Sequence, residues 1–137
     1  MTQSKILKPA LFITRILIFL FLLPWQTLRF TNHDGAAGIA NKYYKISTLP
    51  PAIGLAIGVF MMVLLLAFVT GFKKTYSYGL VFLLHAAGTI MTIGILLPPY
   101  PSPQRLFLAA MPTAGAMLLL WVLRKEDTLL SFGGKFG

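Results

Sequence analysis

The chain contains no cysteine and very few acidic residues. Its 137 residues include 12 Lys or Arg but only three Asp or Glu. Without a thiol, the chain cannot form disulfides, thiolate metal sites, iron–sulfur ligation or covalent c-type haem attachments. Cysteine usage therefore does not indicate whether the chain lies in an oxidising or a reducing compartment. Charged residues make up 11% of the chain, whereas a soluble domain carries about a quarter. This shortage argues against a soluble globular domain, a disordered chain and a coiled coil.

Apolar residues are abundant instead, and they occur in long uncharged runs. Hydrophobic residues make up 57% of the chain, and the mean hydropathy is +0.79. A helix needs about 20 apolar residues to cross a ~30 Å hydrocarbon core. We therefore predict an all-α integral membrane four-helix bundle that forms a single transmembrane domain over residues 1–137. Its predicted spans are residues 10–25, 51–70, 77–97 and 106–123.

The first span and the basic residues predict how the chain is oriented. Lys5 and Lys8 precede an apolar stretch, as in a signal peptide, but no Ala-x-Ala cleavage site follows and Arg15 interrupts the stretch. We therefore predict a retained span. The positive-inside rule favours a multi-pass membrane protein with both termini in the cytoplasm. The predicted inside set is Lys5, Lys8, Lys73, Lys74, Arg124, Lys125 and Lys135, against Arg29, Lys42, Lys45 and Arg105 outside.

A short amphipathic helix over residues 35–46 is predicted in the long connection between the first two spans. Asn32 or Asp34 is suited to cap its N-terminus, and apolar residues then recur at i, i+3, i+4 and i+7. His33 and Asp34 belong either to this capping turn or to a functional polar cluster. We expect the helix to lie along the membrane surface. Aromatic side chains would anchor both membrane boundaries: Trp25, Tyr43, Tyr44 and Tyr100 outside, and Trp121 inside.

None of the three acidic residues falls in a predicted span. They are Asp34, Glu126 and Asp127. Pumps and carboxylate proton relays place Asp or Glu inside the bundle, and paired-carboxylate hydrolysis needs two carboxyl groups at one site. We therefore predict no catalytic residue and no metal site, and we lean against an enzyme. The lysines cluster at span ends, where lipid attracts them, so the basic balance requires no nucleic acid.

Arg15 and His85 are the candidate ligand or lipid contacts. Counted along their helices, they lie about 9 Å and about 12 Å from the inner boundary, which suggests one shared polar pocket. Arg15 either snorkels to the headgroups or binds a headgroup, a quinone carbonyl or a helix C-terminus. Because no span holds a carboxylate, we expect its partner to be a lipid phosphate, a backbone carbonyl or a ligand oxygen. His85 is either bonded to a neighbouring helix or contacts a quinone or another proton-linked ligand; haem ligation fits poorly, since His33 lies in the external loop.

Small residues predict close helix packing. Gly54 and Gly58 form a GxxxG motif in the second span, and Ala110 and Ala114 form a weaker version in the fourth. Small side chains at this spacing let helix backbones approach closely. The contact would be made either within the chain or with a partner subunit.

Several short segments together resemble the DoxX-like family of small four-span bacterial membrane proteins. The likeness covers nearly the whole chain. It is carried by Thr14-Arg15-Ile16-Leu17, Trp25-Gln26-Thr27-Leu28, the Gly/Ala-rich residues 35–44 with Leu49-Pro50, Thr70-Gly71-Phe72-Lys73, and Asp127-Thr128-Leu129-Leu130-Ser131-Phe132.

This resemblance implies a four-helix bundle in the bacterial inner (cytoplasmic) membrane. It also implies an association with quinone-linked redox systems, including the membrane subunit of thiosulfate:quinone oxidoreductase. Members often carry an acidic residue in span two, available to the span-one arginine. Here residues 58–63 contain no carboxylate, so a catalytic role for such a pair is not expected. We predict a non-catalytic accessory or structural subunit of a larger membrane complex, with a quinone-linked redox component as the alternative and a small transporter less favoured. Its expected partners are membrane subunits and lipids. No cofactor is expected, and a bound quinone or lipid remains open.

Overall fold

The computed structural model describes residues 3–96 and 108–133, and within these ranges the chain is helical without any strand. Its five helices are α1 (Gln3–Thr31), α2 (His33–Tyr44), α3 (Pro51–Thr70), α4 (Lys74–Leu96) and α5 (Ala110–Val122). The all-α prediction is confirmed.

Three helices are long and apolar enough to cross a membrane. The qualifying segments are Lys5–Thr31, Pro51–Thr70 and Lys74–Gly94. The predicted limits of the second span coincide with α3, whereas α1 extends beyond its predicted span at both ends. The fourth predicted span contains α5, whose 13 residues measure about 20 Å. The prediction that this span begins at Leu106 lies outside the described residues.

Local backbone chemistry sets the limits of α2 and α3. The Asn32 side chain accepts a hydrogen bond from the Gly35 N–H at 2.9 Å, so Asn32, rather than Asp34, caps α2. Lys45 adopts a left-handed conformation at the other end and closes the helix. The helix was predicted to extend to residue 46, whereas α2 ends at Tyr44. Gly71 ends α3 with φ +68°, a conformation that costs glycine little because it lacks a Cβ.

The packed core lies toward one end of the bundle. α1 packs on α3, α3 on α4, and α4 on α5, while α2 lies against α1, α3 and α4. One cluster of buried apolar side chains comes from α1 as far as Ile18, from the first half of α4 and from the second half of α3 and α5: Leu11, Ile18, Leu65, Phe68, Tyr78, Val81, Met117 and Leu120. We call this the closed end, and the opposite end, where α2 lies, the α2 end.

The outward faces of the long helices remain strongly apolar. Leu17, Val63 and Leu83 are each about 60% exposed. In water such extensive apolar exposure would be unfavourable, whereas hydrocarbon solvates it. The exposed faces therefore suit a lipid environment.

The glycines of the predicted GxxxG motif pack within the chain. A Cβ on Gly58 would lie 3.2 Å from the Arg29 Cβ, so this glycine lets α1 and α3 approach closely. A Cβ on Gly54 would lie 3.4 Å from both the His33 Cε1 and the Leu49 Cδ2. Of the weaker motif, Ala114 is partly buried and Ala110 lies at the start of α5.

Candidate functional site

Four polar side chains form a fully buried cluster at the closed end. Arg15, Lys74, Tyr78 and Asp127 are each 0% exposed, and we call them the Arg15 cluster. The Arg15 Nη1 donates to the Asp127 Oδ2 at 3.2 Å and to the Tyr78 hydroxyl at 3.1 Å. Tyr78 in turn donates to the same Oδ2 at 2.7 Å, and the Lys74 Nζ donates to the Asp127 carbonyl at 2.8 Å.

The same arginine also holds the C-terminal segment, residues 123–133, against the bundle. Its Nη2 donates to the carbonyls of Leu129 at 2.6 Å and Leu130 at 3.1 Å. Leu130 has φ +45°, uncommon for a side chain of that kind. The Phe132 N–H donates to the Thr70 carbonyl at 2.9 Å. The segment is thus fixed to α1 and to the end of α3.

The surroundings of Arg15 decide one open alternative and correct one expectation. An arginine that snorkels would expose its guanidinium, but Arg15 is fully enclosed and lies 5.4 Å from the centre of the Phe12 ring. The expectation that no carboxylate is available is also wrong, because Asp127 returns to it from the far end of the chain. That expectation counts only carboxylates inside the spans, whereas Asp127 lies beyond the last span.

His85 lies in a separate place and bonds to the next helix. Its Nε2 is 2.9 Å from the carbonyl of Ala110, and its ring meets that of Phe21 edge-on, 6.0 Å between centres. Because a carbonyl only accepts, Nε2 carries the proton in this bond. Of the two alternatives for His85, this is the bond to a neighbouring helix.

The structure does not bring Arg15 and His85 into one pocket. Arg15 bonds to Tyr78, and His85 lies seven residues, or about 10 Å, farther along α4. Their similar depth was counted from boundaries set by hydropathy. Both α1 and α4 begin before the residues at which their predicted spans begin. The two depths are therefore not measured from one common membrane plane.

A cavity of about 400 Å³ occupies the α2 end. This volume falls in the range of small-molecule sites. Its wall is mostly apolar, with contributions from α1 to α5 that include Leu22, Ile39, Ile57 and Leu84. Its polar lining includes Gln26, Arg29, Tyr44, His85, Thr89 and Thr92.

Two polar side chains of α1 line this cavity with atoms that lack hydrogen-bond partners. They are the Gln26 Oε1 and the Arg29 Nε, both buried. Leaving such a group unpaired costs about 1–3 kcal/mol, and more for a charged one. Neither residue is among the candidate site residues predicted from the sequence, because both fall in the predicted external loop. A signal was present, since residues 22, 25, 26 and 29 have the i, i+3, i+4, i+7 spacing of one helix face.

The predicted aromatic anchors differ in their surroundings. Trp25 and Tyr44 both line the α2-end cavity and are 38% and 37% exposed. The Trp121 Nε1 donates to the Thr75 carbonyl at 3.0 Å, and the Arg124 guanidinium lies 4.6 Å above its ring. The Tyr43 side chain and Tyr100 lie outside what the structure describes.

No protein-family model, curated protein or solved structure matches this chain. Among the described residues, no three His, Asp or Glu side chains are grouped so as to hold a metal ion. The Arg15 cluster and the α2-end cavity are therefore the features of the described residues that bear on function.

Proposed function

We propose that the protein is a non-catalytic accessory subunit of a larger complex in the bacterial inner membrane, built as a four-span bundle of the DoxX-like kind. In this proposal α1, α3, α4 and the region of α5 cross the membrane, and α2 is the amphipathic helix at the external surface. Three long apolar helices support the membrane setting. Both termini are proposed to be cytoplasmic.

The observation that carries the accessory role is the state of Arg15. A buried charge is a prime candidate for chemistry in a membrane protein. Here both terminal nitrogens of its guanidinium bond to the chain itself, to Asp127, Tyr78 and two backbone carbonyls. These bonds suit a structural role for Arg15, in which it stabilises the fold and holds the C-terminal segment in place. The apolar outer faces of the helices are then left to contact lipid and partner subunits.

A blue-native gel of membranes solubilised in a mild detergent tests this role. We expect the protein to migrate with a complex much larger than 15.1 kDa, and to be released from it when the same membranes are solubilised in a denaturing detergent. Migration as a free small protein in the mild detergent would contradict the proposal.

A quinone-linked redox component is the second candidate, and the α2-end cavity is the observation that favours it. The cavity combines apolar walls with the hydrogen-bonding side chains of Gln26 and Arg29. Purified complexes that reduce quinone with the wild-type chain, and lose that activity without loss of assembly in Arg29→Ala, would favour this candidate over the accessory role.

A further inference from the structure

We propose that the α2-end cavity binds one hydrocarbon chain that carries an anionic oxygen headgroup, and that the headgroup pairs with Arg29. A fatty acid and an acidic phospholipid share this chemistry. The inference depends on the membrane setting proposed above, but it does not depend on the accessory role, since a cavity can hold lipid whether or not the chain joins a complex.

The charge of the cavity favours an anion. Arg29 is the only formally charged residue among the described residues that line it. No described residue forms an ion pair with Arg29 or accepts a hydrogen bond from its side chain. A partly buried guanidinium in apolar surroundings is costly until an opposite charge neutralises it. A neutral quinone would accept a hydrogen bond but would leave the charge in place.

The polar groups near Arg29 suit an oxygen headgroup. Guanidinium groups bind carboxylate and phosphate oxygens with short charge-assisted hydrogen bonds. Gln26 lies three residues earlier on the same face of α1 and has no partner for its Oε1. Its amide presents both a donor and an acceptor, so it can bond to a second oxygen or to a hydroxyl of the same headgroup.

The length and lining of the cavity suit a hydrocarbon chain. Phe21 and Arg29 both line it and are eight residues apart on α1, a rise of about 12 Å. Apolar side chains of α3 and α4 also line the cavity, among them Ile57, Leu64 and Val81. A headgroup at Arg29 would therefore place its chain along this wall toward His85.

The two tryptophans allow a direct test. Trp25 lines the cavity, whereas Trp121 contacts Thr75 at the start of α4. Trp121→Phe leaves Trp25 as the only reporter, and Trp25→Phe leaves Trp121. Each full-length variant would be reconstituted in phosphatidylcholine vesicles and titrated with dibromostearate, whose bromines quench nearby indoles. We expect saturable quenching of Trp25 and only the linear quenching of bulk lipid for Trp121.

Arg29 variants in the Trp121→Phe background test the pairing. Arg29→Gln should weaken saturable binding by at least about tenfold, the effect of losing a charge-assisted hydrogen bond. Arg29→Lys should retain part of the binding because it keeps the charge. Ser47→Lys adds a charge at an exposed site of the same end and Lys45→Gln removes one, so these matched controls should leave binding within about twofold.

Further arms identify the source of the ligand and the result that overturns the proposal. Brominated phosphatidylglycerol replacing dibromostearate tests an acidic phospholipid, and stronger saturable quenching by either probe identifies the preferred source. Native mass spectrometry of the unmodified protein should show one bound acidic lipid, reduced in Arg29→Gln. Linear quenching of Trp25 by both probes would overturn the proposal. The proposal would also be overturned if decylubiquinone, a neutral quinone, displaced the probe with the same affinity from the wild type and from Arg29→Gln, because the site would then not depend on pairing with Arg29.

Discussion

Arg15 shows what a single buried charge requires in this fold. Its guanidinium bonds to one carboxylate, one phenol and two backbone carbonyls, and these partners come from α4 and from the C-terminal segment. Such a charge is stable only with an opposite charge and with hydrogen bonds in good geometry. The residues that supply them must therefore be held in place by the rest of the bundle.

Removing the carboxylate should destabilise the protein strongly. Asp127→Ala leaves Arg15 and Lys74 as two positive charges in a cluster with 0% exposure, a change that costs about 3–5 kcal/mol. We expect a large fall in the thermal unfolding midpoint in detergent. Glu126→Ala is the matched control because Glu126 is exposed and adjacent in sequence. If the two variants unfold at the same temperature, the ion pair does not stabilise the fold.

Replacing both partners should recover much of this loss. Hydrophobic residues of similar volume often substitute for a buried ion pair without cost, so Arg15→Met combined with Asp127→Leu should be more stable than Asp127→Ala. A double variant less stable than the single one would show that the bonds to the Leu129 and Leu130 carbonyls outweigh the pairing of charges.

Gly71 is the second residue on which the closed end depends. Its φ is +68°, and a Cβ there would lie 2.9 Å from the Arg15 Nη1 and from the Ser131 Cβ. Gly71→Ala should therefore destabilise the protein by at least about 1 kcal/mol from the backbone alone, measured as a lower unfolding midpoint. Gly115→Ala has open space around its Cβ and should be neutral or stabilising. A neutral Gly71→Ala would contradict this account of the closed end.

At the scale of elements, uncharged runs predicted the helices well because each span must exclude charge. The limits of α3 follow from Pro51 at its start and Gly71 at its end, both visible in the sequence. α1 continues through Pro9 and Pro24 to Thr31, and hydropathy alone does not show this. Gln26 and Arg29 in its last turns therefore fall in a predicted loop. Because both line the cavity, the cavity could not be predicted from the sequence.

The Arg15 cluster could not be predicted from the sequence for a different reason. Asp127 is 112 residues from Arg15, and the Leu129 and Leu130 carbonyls carry no side-chain signal. The pairing depends on a C-terminal segment that folds back over the end of α3 and the start of α4, and residue patterns do not encode that return. The resemblance to the DoxX-like family included residues 127–132, but it assigned no partner to them.

The contact between α1 and α3 should depend on the small size of Gly58. A Cβ at this position would already lie 3.2 Å from the Arg29 Cβ and the Phe30 Cζ. Gly58→Leu should push the helices apart and lower the unfolding midpoint, at a cost of about 1–3 kcal/mol for overpacking. Gly94→Leu, with open space around its Cβ, is the matched control. Equal midpoints would mean that the helices do not depend on this close approach.

At the scale of the whole molecule, basic residues divide unequally between the two ends. Within the described residues, the closed end carries Lys5, Lys8, Lys73, Lys74, Arg124 and Lys125 in addition to the ion-paired Arg15, and the α2 end carries Arg29, Lys42 and Lys45. The bonds from Arg15 to Asp127 and from Lys74 to the same residue place the first half of α1, the start of α4 and the C-terminal segment at one end. From the positive-inside rule we predict that this end faces the cytoplasm.

Cysteine labelling can test this orientation because the chain contains no cysteine. Ser47 and Lys125 are both exposed, at the α2 end and the closed end respectively. A membrane-impermeant maleimide should label Ser47→Cys on intact spheroplasts, and it should label Lys125→Cys only after permeabilisation. The reverse pattern would show that the bundle is inverted. In the four-span arrangement three membrane crossings, α3, α4 and the region of α5, separate the two positions, so they must lie on opposite sides. Labelling of both sites from one side would therefore contradict that arrangement itself.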